Sequence, residues 1–251
     1  MILHHDDQNV VEVLRGDSRS AVVLVCEHAS PYIPADLNDL GILPAARSSH
    51  VAWDPGALAV AQGMSEALDA VLVASTVSRL VYDCNRPPDA ADAMPVRSEA
   101  YDVPGNRNLS DEDRSARIAH YYTPFRERLA SEIARRRDPV LVTVHSFTPV
   151  YNGKSRDLEI GILHDSDTRL ADAMLQVARN YDVRRNAPYG PEDGVTHTLK
   201  EHAVKHGYLN VMIEVRSDLI ADDTSQASMA QTLTGWITKA LQIVEEDACK
   251  A

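Results

Sequence analysis

Short runs of branched apolar residues alternate along this chain with amphipathic stretches. Residues 21–26 read AVVLVC and are followed by Glu27, His28, Ser30 and Pro31. An unbroken branched apolar run bounded by turn formers predicts a strand buried on both faces. The pattern recurs at Val71 to Ser75, at Pro139 to Val144 before His145-Ser146, at Asp157 to Leu163 before His164-Asp165, and at Leu209 to Val215. Val10 to Leu14 predicts a strand at the sheet edge, and another short one is expected near Val183.

Helical spacing fills the gaps. Leu58, Ala61, Met64 and Leu68 share one face, with Asp54 placed as N-cap and Pro55 at the first helical position. Ser110 with Glu112 and Asp113 marks a helix start, and that helix is expected to run to Arg137. Further helices are expected from Thr168 to Tyr181, from Thr198 to His206, and from a cap at Thr224 or Ser225 to Glu246.

Residues 31–47, with Pro31, Pro34, Pro44 and Gly41, read as an ordered loop with one helical turn. Residues 77–108 have little periodicity, and irregular segments of that length are usually functional or disordered. The alternation predicts an α/β fold: a mostly parallel or mixed central sheet with helices on both faces, in one domain over residues 1–251.

Composition narrows the function classes. The chain has 251 residues, 44% of them hydrophobic, which is enough for a substantial core. No apolar run reaches the roughly 20 residues that cross a bilayer, so no membrane partner is expected. The start, MILHHDDQNV, lacks a basic region and an apolar core, so a cytoplasmic location is expected. Cys26, Cys84 and Cys249 show no CxxC spacing, which argues against disulfides or a thiolate zinc site. A net charge of −12 disfavours nucleic-acid partners but leaves room for a local cationic pocket. No pattern in the chain fixes an oligomeric state.

Chemistry gathers at strand ends, where open α/β sheets place their ligands. A catalytic zinc takes three nitrogen or oxygen ligands and keeps one position for water. His28, His145 and either Asp54 or Glu27 supply such a set, and Glu214 is placed as general base. Neighbouring strand residues point to opposite faces, which favours Asp54 over Glu27 beside His28. The plainer alternative is that each histidine hydrogen-bonds to a loop carbonyl.

Arg86, after Asn85 and before two prolines, presents a planar fork suited to a carboxylate, and Arg79 and Arg216 are further candidates. Internal salt bridges with the many acidic residues are the simpler role for each. Cys26 ends an apolar run and is expected in the core rather than as a nucleophile. Glycine-rich phosphate motifs are absent, so no nucleotide cofactor is expected.

The ordered segments VCEHAS with its following P-IP, HVAWDPGA, STVSRLVYDCNRPP, VHSFTP, NAPYG with GVTHTL, and IEVRSDLI resemble the N-formylglutamate amidohydrolase family from about Val22 to Ile220. The resemblance implies a hydrolase that cuts the amide C–N bond of a small-molecule N-acyl amino acid. The namesake reaction converts N-formyl-L-glutamate to formate and L-glutamate late in histidine degradation. It also implies a phosphorylase/hydrolase-like α/β fold distantly similar to zinc carboxypeptidases.

On that resemblance His28 and His145 correspond to zinc histidines, Glu214 to the catalytic glutamate, and Asn85-Arg86 to the pair that holds a substrate carboxylate. The wider group has HxxE, whereas Pro31 stands three positions after His28, so Asp54 is expected as the third ligand. Zinc, or another divalent metal, is the expected cofactor. Arg79 or Arg216 is expected to assist Arg86, His197 to contact the intermediate, and His50 to add a polar contact at the metal. A deacylase for another N-acyl amino acid and a noncatalytic binder of acidic amino acids are the competing expectations.

Overall fold

The computed structural model describes residues 9–250. The branched apolar runs form one seven-stranded sheet: β1 (Val11–Leu14), β2 (Val22–Cys26), β3 (Val71–Ser75), β4 (Val140–Phe147), β5 (Ile160–Leu163), β6 (Val183–Arg185) and β7 (Leu209–Arg216). Their order is β1-β3-β2-β4-β7-β5-β6. β3, β2, β4 and β7 run parallel, while β1 and β5 pair antiparallel with β3 and β7. The sheet is therefore mixed, and β1 lies at its edge as its half-buried pattern requires.

Alternate strand residues serve two cores. Leu24 and Cys26 of β2, Val142 and Val144 of β4, and Ile213 of β7 pack toward α1 (Ala57–Ala67), α4 (Arg169–Val177) and α6 (Asp223–Ala248). Val23, Val25, Leu141 and Met212 face the other way. They meet residues of α3 (Thr123–Ala134), which follows α2 (Asp111–Arg117), and of α5 (His197–His202). Among the described residues, no helix is long and apolar enough to cross a membrane.

Several boundaries move for physical reasons. α1 begins at Ala57 behind Gly56, and Asp54 does not cap it because its carboxylate is engaged elsewhere. The expected continuous helix from Ser110 starts on its capping box but widens into a π turn at Ile118–Tyr122 before α3. Pro124 in the first turn of α3 offers no N–H to the preceding turn, and the wider turn accommodates that gap. α4 stops at Val177, short of Tyr181, and Asp222 rather than Thr224 or Ser225 caps α6.

The long irregular segment 77–108 is folded into the molecule. Buried backbone groups without a ladder need other partners. Asn106 Nδ2 donates to the carbonyls of Leu80 and Pro95, and Arg117 donates to the carbonyl of Val81 and to Asn106 Oδ1. The amide of Ser78 reaches the carbonyl of Tyr32, and the amide of Asp83 that of Ala93. A hairpin of Arg97–Ser98 with Tyr101–Asp102 follows, and a second pairs Val150–Tyr151 with Lys154–Ser155.

Candidate active site

Parallel register brings the first pair together: Glu214 on β7 stands opposite His145 on β4, on the sheet face that also carries Leu141 and Met212. β2 stops at Cys26, and Glu27 and His28 lie in a turn. Strand alternation thus no longer applies to them, and both side chains reach His145. Asp54 arrives from the segment before α1, its amide bonded to the His28 carbonyl at 2.9 Å. Gly56 permits this approach. Its φ is +81°, and a Cβ there would lie 2.5 Å from the Ile220 carbonyl oxygen.

Asp54 Oδ2 lies 2.9 Å from His145 Nδ1 and 3.3 Å from His28 Nδ1, and accepts the Ser146 amide at 3.3 Å. The two imidazole rings are 4.9 Å apart at a steep angle. One donor atom from each of these buried residues lies within 4.8 Å of the others, a set that could hold a metal ion. Two imidazole nitrogens and one carboxylate oxygen suit a zinc-type divalent ion.

The outward nitrogens are also backed. His28 Nε2 is 2.7 Å from Asp83 Oδ1, and His145 Nε2 is 3.1 Å from Glu27 Oε2. Arg79 completes the group, 2.7 Å from Asp83 Oδ2 and 3.6 Å from Asp54 Oδ1.

Burial opposes every charge here, and neighbours decide the outcome. Burial raises the Asp54 carboxyl, but His28 and His145 outweigh it and hold the group far below the usual range. Asp83 is held low against burial by His28 and Arg79. Burial and Arg79 disfavour a proton on His28, yet Asp83 and Asp54 prevail and its pKa rises. On His145 burial loses to Glu27 and Asp54, and its pKa rises well above the usual value. Glu214 differs: burial and the Asp54 charge outweigh His145 and push it up to about 7.

Without an ion, the cluster balances its carboxylates with protons on imidazole, and those protons are what a divalent cation displaces. One mismatch remains. Both Glu27 oxygens and His145 Nε2 are buried without an aligned hydrogen bond, despite their 3.1 Å approach. The donor set fits a divalent ion all the same: two imidazole nitrogens and a carboxylate oxygen converge, with Asp83 and Glu27 behind the two rings.

A cavity of about 300 Å³ opens over this cluster, with Glu214, Arg79, Asn85 and Arg86 among its lining residues. Asn85 brackets the wall: its Nδ2 donates to the Val195 carbonyl at 2.6 Å, and its Oδ1 accepts the Thr198 amide at 2.9 Å. Arg86 pairs with Asp92 at 2.7 Å and donates to the Gly194 carbonyl. His50 lines the cavity too, its Nε2 2.9 Å from Glu99 Oε2, while Glu99 Oε1 accepts the Asn152 amide.

Other expected residues lie elsewhere. Arg216 follows Glu214 on β7, but its guanidinium is taken up by Asp218 at 2.8 Å and by the Asp157 carbonyl at 2.9 Å, outside the cavity lining. His197 also lies off the lining, 2.7 Å from the Tyr122 hydroxyl. His164-Asp165, at the end of β5, is turned to its own neighbours: Asp165 accepts from Thr196 and pairs with Lys200. Cys26 packs on the α1 face, and burial pushes its thiol pKa well up, which removes the thiolate a nucleophile needs.

Asp83 was visible only as one polar residue of an irregular segment. Its position two before Asn85 was the available signal. Nothing local marks Glu99.

A mixed sheet with helices on both faces and a buried His–Asp–His cluster at its strand ends defines an α/β architecture with a candidate metal site. N-formylglutamate amidohydrolase from Ralstonia eutropha JMP134 shares this fold, with a TM-score of 0.60 at 18% identity over 96% of this chain and 99% of that one. The crystal structure of gene product Atu2144 from Agrobacterium tumefaciens is similar at a TM-score of 0.93 and 53% identity, over 95% of this chain and 97% of that one. The chain belongs to the N-formylglutamate amidohydrolase family, whose sequence model matches residues 20–221, and is thus a hydrolase of the amidohydrolase class. No curated protein matches it significantly.

Proposed function

We propose that the chain hydrolyses the amide bond of an N-acyl amino acid, with N-formyl-L-glutamate first among substrates, giving formate and L-glutamate. The observation that carries this reading is the convergence of His28, Asp54 and His145 beside Glu214 at one cavity. A divalent ion held by those three residues, zinc first by the donor set, would polarise the acyl carbonyl and bring the pKa of water toward about 7.

Glu214 takes the proton from the attacking water and returns it to the leaving nitrogen as the C–N bond breaks. Burial favours the protonated form of this carboxyl, which the return of the proton draws on, while a cation held beside it would favour the charged form that accepts the proton from water. His145 opposite it in register keeps that carboxylate at the ligand cluster. Arg86 and Arg79 offer guanidinium groups at the cavity surface to a substrate carboxylate, with Asn85 bracing the wall that carries Arg86. Arg216 and His197, off the cavity, keep structural roles in this reading.

A cavity of about 300 Å³ also admits acyl groups larger than formyl, so a broader N-acyl amino acid deacylase is the second reading. Hydrolysis of a panel of N-acyl amino acids by chelated and zinc-restored protein tests both. Full activity in the metal-free protein overturns the metal-dependent mechanism. Thermal stabilisation by N-formylglutamate with no turnover of any panel member overturns hydrolysis in favour of a binder.

A further inference from the structure

Glu27 lies outside both the cavity lining and the cluster of His28, Asp54 and His145. Its side chain is wholly excluded from solvent, behind His145, with Oε2 3.1 Å from Nε2 of that ring. We infer that Glu27 is a positioning residue that keeps the His145 proton on Nε2, so that Nδ1 presents its lone pair to the metal. This rests on the metal-dependent reading above.

The geometry leaves little choice. His145 Nδ1 points at Asp54, 2.9 Å away, on the side where His28 also aims its Nδ1. Only Nε2 then remains for the proton. Among the described residues no other group makes an aligned hydrogen bond to that nitrogen, and neither Glu27 oxygen has one either. The Thr198 hydroxyl also approaches Glu27, which leaves acceptor capacity on that carboxylate for Nε2, and a small rotation of either group aligns the pair. Support of the same kind is already complete on the other ligand, where Asp83 Oδ1 lies 2.7 Å from His28 Nε2.

Charge argues for a carboxylate in this place. A divalent ion with one Asp54 carboxylate leaves positive charge in a buried site, and an anion behind a ligand imidazole offsets it and makes the ring a stronger donor. Sequence position adds a coupling: Glu27 and His28 are consecutive in one turn, so the segment that carries one ligand also orients the other.

Zinc affinity of the full chain, measured by competition with a chromogenic chelator, tests the inference without reference to turnover. Glu27→Gln keeps the shape and removes the charge, and is expected to weaken zinc binding about 10- to 100-fold. Zinc binding by a folded Glu27→Gln protein within about twofold of wild type overturns the inference, since a purely structural role lowers thermal stability without changing that affinity. His145→Ala serves as the reference. If wild type takes up no more zinc than His145→Ala, the metal reading itself falls, and the inference with it.

A second measurement needs no variant. In zinc-loaded wild type labelled at histidine, long-range proton–nitrogen correlation should show His145 protonated at Nε2. A proton on Nδ1, or a metal-bound Nε2, overturns the assignment.

Discussion

Replacing Glu214 with glutamine removes one ionisable group whose burial works against its own charge. The carboxyl has an ordinary pKa of 4.5 and rises to about 7 in the folded chain, mainly through burial and with Asp54 adding to it. Below 4.5 the folded and unfolded states are both protonated there, and the group costs nothing. Between 4.5 and 7 the unfolded chain gives up the proton while the folded chain keeps it, so stability falls as pH rises. Above 7 both are ionised and the loss is complete. At roughly 1.4 kcal/mol per pH unit, the full loss is about 3 kcal/mol.

Glutamine cannot ionise and escapes that loss. Metal-free Glu214→Gln should therefore match wild type more nearly at about pH 5 and exceed it by about 3 kcal/mol at about pH 8.5. Urea unfolding of both proteins at both pH values measures this. Turnover should move the opposite way, falling by about 10²- to 10⁴-fold with loss of the general base. A stability difference that does not change with pH, or an active glutamine variant, would refute the reasoning.

Other substitutions probe separate parts of the site. Gly56→Ala places a methyl group against the Ile220 carbonyl at a left-handed φ, and should cost at least about 2 kcal/mol in unfolding experiments. Zinc affinity should fall with it, because Asp54 lies two residues away. Cys26→Ala should keep full turnover while losing on the order of 1 kcal/mol of stability, and inactivation would revive a thiol nucleophile. Arg86→Ala should raise KM for N-formylglutamate about 10- to 100-fold with a smaller change in kcat, and steady-state kinetics will show whether it does.

Strands and helix faces were legible in the chain because burial on two faces or one leaves a period that reads locally. The metal cluster was half legible, because each residue type suits two local roles. Aspartate before Pro-Gly fits an N-cap as well as a ligand. What decides for Asp54 is its distance from β4, far off in sequence. Alternation favoured Asp54 over Glu27, but at Glu27-His28 the strand has already ended and the rule has no purchase. For Arg216 alternation described the backbone, while Asp218 and loop carbonyls captured the long side chain. The segment 77–108 stood out only by its lack of periodicity, and the burial of Asp83 depends on side chains as remote as Asn106 and Arg117 filling the backbone's hydrogen bonds.

Glu99, at a positive φ of 49°, joins three segments at the cavity: its own hairpin, the His50 loop and the hairpin that carries Asn152. Both joints converge on a single carboxylate rather than on a backbone ladder. One rotamer change of that side chain releases both together, while β2, β4 and β7 beneath keep their register. Access and coordination are thereby mechanically separate. A rearrangement at Glu99 would leave the spacing of His28, Asp54 and His145 as it is, since other partners hold those residues.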